Sequence, residues 1–237
     1  VSTEEPRDDT VVIASIHPGQ VSAFFCYSLI GTLLHDQAER HIVGLLQKWS
    51  SANVSAPRND LTALFLENHT ADWLLWIDSD MAWDPRAVDE LLKVADKDTV
   101  PIVGGLCFGA VEDELFPTIY QFMTDKDGAI TTLRVNEYEE DALVRCAATG
   151  AAFLLIHRTA LETIRDSDFS NPTFPWFQEA ELAGKPAGED VTFCMRAARC
   201  GIPVHVYTGV KVGHHKSRLL TEEMFQSQIA EVASHGI

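Results

Sequence analysis

Short apolar runs and segments of helical spacing take turns along the first half of this chain. The β-branched run Thr10–Ser15 reads as a buried strand that leaves through His17-Pro18-Gly19, and a helix over about Gln20–His35 follows. A second strand is expected over His41–Gln47. Pro57 then opens a helix with Arg58 and Asn59 in its first turn and Leu61, Leu64 and Phe65 on one face. The nearly continuous apolar run Asp72–Ile77 stops at Asp78-Ser79-Asp80, which suits a central parallel strand covered on both faces. Asp84-Pro85 supplies an N-cap and a proline at N1 for a helix to about Ala95, and Pro101–Cys107 is a further buried strand. This alternation argues for a right-handed, mostly parallel sheet.

From Pro117 the rhythm changes. Alternating runs near Thr118–Phe122, Ile130–Val135 and Leu143–Ala147 read as antiparallel strands, a small meander at the sheet edge. Ala151–Ile156 is another buried strand and Arg158–Arg165 a short helix. Asn171–Gln178 is a loop holding two prolines and three aromatics. Gly188-Glu189-Asp190 starts a helix with Val191, Cys194, Met195 and Ala198 on one side and Gly201 as its stop. Pro203–Tyr207 and Val210–Val212 read as strands, and Thr221 to about Ser234 as a terminal helix. No internal repeat or linker interrupts this order, so the 237 residues are expected to form one domain.

Charge narrows the function classes more than size does. Hydrophobic content of 46% is ordinary, but a net charge of -17 repels phosphate backbones and anionic lipid, which disfavours a broad nucleic-acid or membrane footprint. The five cysteines, Cys26, Cys107, Cys146, Cys194 and Cys200, form no C-x-x-C pair and sit mostly in apolar segments, which favours a reducing compartment. The longest apolar run, Val21–Leu34, is too short to span a bilayer and has no basic segment before it. A soluble, cytoplasmic protein is expected.

Three constellations carry candidate chemistry. Asp78-Ser79-Asp80 falls outside the carboxyl end of a strand, where ligands bind in open parallel sheets, and its oxygens suit Mg²⁺ or Mn²⁺; alternatively these acids only begin a turn. Glu189-Asp190 opens a helix, where carboxylates serve as caps or, beside a site, as a general base. His214-His215 follows a strand, and an imidazole there is either a hydrogen-bonded surface group or a metal ligand.

Taken in order, Val11–Ser15, Pro57-Arg58-Asn59, Trp76-Ile77-Asp78-Ser79-Asp80, Thr149–Leu155, Gly188-Glu189-Asp190 and Gly213-His214 resemble the GT-A glycosyltransferases, particularly compact family-2-like enzymes of bacteria and bacteriophages. The resemblance implies an α/β fold, a mixed and mostly parallel central sheet flanked by helices. It implies transfer of a sugar from a nucleotide-diphosphate donor, a UDP-sugar, to an acceptor hydroxyl with inversion. Asp80 matches the carboxylate that meets Mn²⁺ or Mg²⁺ on the donor diphosphate. Asp78 matches the one nearer the ribose or the metal's waters, and His214 a histidine completing the metal sphere. Asp190 matches the catalytic base, with Glu189 beside it. Ser15, His17, Arg58 and Ser79 would line the nucleotide pocket. The first loop, Ile16-His17-Pro18-Gly19-Gln20, departs from the family in lacking a polar Tyr-Asn ending. The acceptor stays open between a modified nucleobase, a virion protein and a saccharide. Trp176 and Phe177 either stack on it or pack their loop.

Competing readings use the same acids. A nucleotidyltransferase would need a cation in the loop after the first strand, and Pro18-Gly19-Gln20 has none. A metal-dependent hydrolase would release sugar or phosphate without an acceptor, and an inactive binding module would bind nucleotide sugar without turnover.

Overall fold

The computed structural model describes residues 9–50, 53–111, 114–124, 126, 130–182, 184–217 and 222. The terminal helix expected from Thr221 lies, but for Glu222, outside them. The first half runs β1 (Val11–His17), α1 (Ala23–Glu39), β2 (Ile42–Trp49), α2 (Ser55–Asn68), β3 (Trp73–Ile77), β4 (Met81–Ala82), α3 (Ala87–Val94) and β5 (Ile102–Leu106). Next come β6 (Phe108–Val111), β7 (Glu114–Pro117), β8 (Ile119–Thr124), β9 (Ile130–Arg134), β10 (Leu143–Cys146), β11 (Ala148–Thr149) and β12 (Phe153–His157). The chain continues with α4 (Arg158–Arg165), β13 (Ala180–Leu182), β14 (Lys185–Ala187), α5 (Glu189–Arg199), β15 (Val204–Lys211) and β16 (Gly213–His214).

Seven strands form the central sheet in the order β10-β15-β5-β12-β3-β1-β2. Strands β2, β1, β3, β5 and β15 run one way, while β12 and the edge strand β10 run against them. The sheet is therefore mixed and mostly parallel, with β12 reversed at its centre. Side chains alternate across it as the pleat demands. Val12, Ala14, Leu74 and Trp76 pack with Leu61 and Phe65 of α2, Leu161 and Ile164 of α4, and Phe193 of α5. Val11, Ile13, Leu75 and Ile77 pack on the other face with Phe25 of α1 and Val88 and Leu91 of α3. Burial on both faces removes the need for alternation, so β3 could be wholly apolar. A run of this kind does not encode the direction of its neighbours, and the antiparallel β12 was accordingly not foreseen.

Several local expectations are corrected. Asp84 does not cap α3; its Oδ1 accepts from the Arg86 N–H in a turn, and the helix starts at Ala87. Leu64 of α2 is 38% exposed, so the buried face is carried by Leu61 and Phe65. The face that α5 buries is Thr192, Phe193, Cys194 and Ala197; Ala198 is exposed. The three alternating runs do not form one meander, since β8 pairs with β9 and with β11 while β10 joins the central sheet. One strand, β15, spans both expected strands after Pro203. Gly201 ends α5 with φ +74, a conformation that favours glycine. Among the described residues no helix is long and apolar enough to cross a membrane.

Candidate functional site

Strands β1 and β3 lie side by side, so the loops leaving their carboxyl ends meet. Between them opens a cleft of about 630 Å³, lined by Ile16 to Pro18, Gln20 to Ser22, Arg58, Asp78 to Asp80, Glu189 and His215 to Ser217. That volume suits a small-molecule ligand. The amino end of α1 forms part of the wall: Ser22 caps it through Oγ, 3.2 Å from the Phe24 nitrogen, and the Ser22 N–H donates to Ser79 O at 2.8 Å. Unpaired N–H groups and the helix dipole favour an anion there.

On the far side of the acidic loop, β16 pairs with β4 so that His214 sits opposite Met81, and the His215 N–H donates to Asp80 O at 2.8 Å. This pairing brings together side chains 134 residues apart in sequence: His214 Nε2 lies 3.0 Å from Asp80 Oδ2. His214 Nδ1 is 2.9 Å from Phe108 O, an atom that can only accept, so Nδ1 carries a proton. In the neutral ring Nε2 is then a lone pair facing a carboxylate oxygen, and a proton or a cation must lie between them. Without metal the proton serves: the hydrogen bond to Asp80 raises His214 above its ordinary value despite burial. Burial opposes ionisation of Asp80, yet the bond and charge of His214, with Lys216 at 3.3 Å, hold its carboxyl below the usual range. Two such ligands fit Mn²⁺ or Mg²⁺, which take one or two protein groups plus substrate phosphates. Among the described residues no group of three His, Cys, Asp or Glu side chains is placed to hold a metal by itself.

Arg58 organises the opposite wall. It is buried at 3% exposure, donates from Nη2 to Asp78 Oδ1 at 2.8 Å and from Nε to Glu189 Oε1 at 3.2 Å, and lies 4.9 Å from the Trp76 ring centre. Burial alone would lower its basicity, but Asp78 and Glu189 more than offset this and keep it charged. Its Nη1 is buried without a protein partner among the described residues. Glu189 thus faces the cleft, whereas Asp190 turns back toward the Thr118–Gly150 side. A Cβ on Gly188 would stand 2.8 Å from Asp190 Oδ1, and one on Gly150 would stand 3.6 Å from Oδ2. Burial first, and the charge of Glu189 second, push Asp190 up to about 6.

The structure therefore brings Asp78, Ser79, Asp80, Arg58, Glu189 and His17 to one cleft, with His214 against Asp80 and Asp190 behind Glu189. Ser15 is not among the lining residues; it is buried within β1. His215 takes a different place from His214, packing its ring on Phe24 at 5.3 Å. Trp176 and Phe177 are 3% and 0% exposed and belong to the core, which removes them as stacking surfaces for a ligand. Asn59 pins them there, its Oδ1 accepting from both backbone nitrogens at 3.0 and 3.4 Å. Sequence reasoning missed the Arg58 bridge and Lys216. No local sequence pattern marked either of them.

No family model matches the sequence, and no curated protein matches it. Solved structures do match in shape. A197 from STIV is similar with a TM-score of 0.51 and 17% identity, covering 88% of this chain and 86% of its own. GalNAc-T7, solved with UDP, GalNAc and Mn²⁺, is similar with a TM-score of 0.55 and 10% identity over 86% of this chain. This chain spans 43% of that protein's length. At these identities the likeness concerns the fold, and the fold is that of the GT-A glycosyltransferases.

Proposed function

We propose that this chain is a metal-dependent glycosyltransferase that moves a sugar from a UDP-sugar to an acceptor hydroxyl with inversion. The single observation that carries the proposal is the Asp80–His214 pair at 3.0 Å beside a cleft of ligand size. That GalNAc-T7 was solved with UDP and Mn²⁺ supports the choice of donor and metal.

Asp80 and His214 are the residues that would hold Mn²⁺ or Mg²⁺, which when bound stabilises negative charge on the departing diphosphate. The amino end of α1 and Lys216 add positive potential along the same wall. Arg58 fixes the Asp78 carboxylate, and Asp78 and His17 are assigned to the nucleoside. Asp190 is assigned as base. As the acceptor oxygen forms its bond to C1 and the bond from C1 to the diphosphate breaks, Asp190 takes the hydroxyl proton. A carboxyl at about 6 is mostly ionised at neutral pH yet more basic than an ordinary aspartate, which matches that task.

The test is UDP release from a panel of UDP-sugars with Mn²⁺ and mixed acceptors. Asp80→Asn and Asp190→Asn should both lose transfer, and Asp190→Asn should still bind UDP. Transfer retained in Asp190→Asn would displace the base, and a wild-type chain that neither binds nor consumes any nucleotide sugar would remove the whole reading.

A further inference from the structure

A second cavity, of about 400 Å³, also opens at the start of α5. Two hairpins wall it: β8–β9 contributes Tyr120, Thr132 and Arg134, and β13–β14 contributes Lys185. Gly188 and Val191 close it below. Neither hairpin lines the first cleft, which takes Glu189 instead. The two cavities therefore meet the same turn at different residues, and in sequence Asp190 falls between Glu189 of the first and Val191 of the second. Its carboxylate lies back over Gly188, and after burial its charge is the main influence raising the Tyr120 hydroxyl.

The chemistry of this cavity departs from that of the chain. Acids outnumber bases 35 to 18 in the sequence, yet the described residues lining the cavity include two cations and no carboxylate. The other polar groups are hydroxyls, from Tyr120, Thr131 and Thr132. Arg134 is held in place by the Phe116 ring, whose centre lies 3.5 Å from its guanidinium carbon, and by Glu114, whose Oε1 lies 3.5 Å from Nη1; this positioning lowers the entropy cost of binding through it. Hydroxyls and a positioned guanidinium beside an ammonium suit a ligand that carries both hydroxyls and negative charge.

We propose that this cavity is the acceptor site and that the acceptor is an anionic saccharide, bearing a phosphate or a carboxylate that Arg134 and Lys185 hold while a hydroxyl turns toward Asp190. The proposal rests on the glycosyltransferase reading for the word acceptor, but the anion site stands on the cavity alone. The test is calorimetric titration with glucose, glucuronate and glucose 6-phosphate at low and high salt. UDP with Mn²⁺ is titrated separately. At least one charged probe should bind tenfold or more tightly than glucose, and which one names the anion. The advantage should shrink with salt and vanish in the Arg134→Gln/Lys185→Gln double variant, whose UDP affinity stays unchanged. Charged probes that bind no better than glucose, or that bind the double variant equally well, overturn the proposal. Loss of UDP binding in the wild type with anion binding intact would instead strike the donor reading and leave the anion site standing.

Discussion

Asp190→Asn should make the protein more stable while making it inactive. The Asp190 carboxyl stands at about 6 in the folded chain against an ordinary 3.8, so the folded state binds its proton more tightly than the unfolded state does. At about 1.4 kcal/mol per unit, holding it ionised costs roughly 3 kcal/mol above pH 6. The sign follows from proton uptake: as pH falls from about 6 towards 4, the wild type regains this stability, and as pH rises it is lost. Asparagine has nothing to ionise and can still accept the 2.7 Å bond that Asp190 Oδ1 takes from the Val191 N–H. For a chain of this length the gain at pH 7.5 is roughly 6–12 °C in Tm, shrinking to little near pH 4. Thermal unfolding of both proteins from pH 4 to 8 measures it. A variant less stable at pH 7.5, or a difference that does not change with pH, would refute the physical account of Asp190. Transfer by the same variant should fall roughly 10²–10⁴-fold, the usual contribution of a general base.

Transfer by the wild type should decline as pH drops through about 6, and Glu189→Gln should shift that limb downward, because burial and then the Glu189 charge are what hold Asp190 up. Gly188→Ala should lower kcat with little change in Tm, since its Cβ would meet Asp190 Oδ1 at 2.8 Å and push the carboxylate aside. Arg58→Ala leaves Asp78 and Glu189 without their buried partner and should cost about 3–5 kcal/mol by denaturant unfolding. Trp176→Ala should cost a similar 3–5 kcal/mol as a core truncation, and in any folded fraction the acceptor KM should not change selectively.

The fold was legible where periodicity and burial coincide. Val11–Ala14 and Trp73–Ile77 are apolar at every position because helices cover both faces, and α4 was read to its ends. Direction was not legible, because a run such as Phe153–His157 serves equally in a parallel or antiparallel place, and β12 took the latter. The cleft was legible from Asp78-Ser79-Asp80, whose position after a buried strand left it at the sheet's carboxyl edge. Pairings across the chain were not. That Arg58 spans Asp78 and Glu189 depends on how α2 and α5 settle on one face of the sheet, and no local pattern records that. Trp176 and Phe177 illustrate the converse: proline-rich aromatic loops suggest a binding surface, but Asn59 holds this one in the core.

The claim on which the rest depends is that Asp80 and His214 bind a divalent ion together with a nucleoside diphosphate. Calorimetric titration of UDP into the protein with Mn²⁺ and with chelator tests it most directly. Binding that requires Mn²⁺ in the wild type and is lost in Asp80→Asn and in His214→Gln is the expected result; equal binding with chelator, or binding untouched by both substitutions, would contradict it.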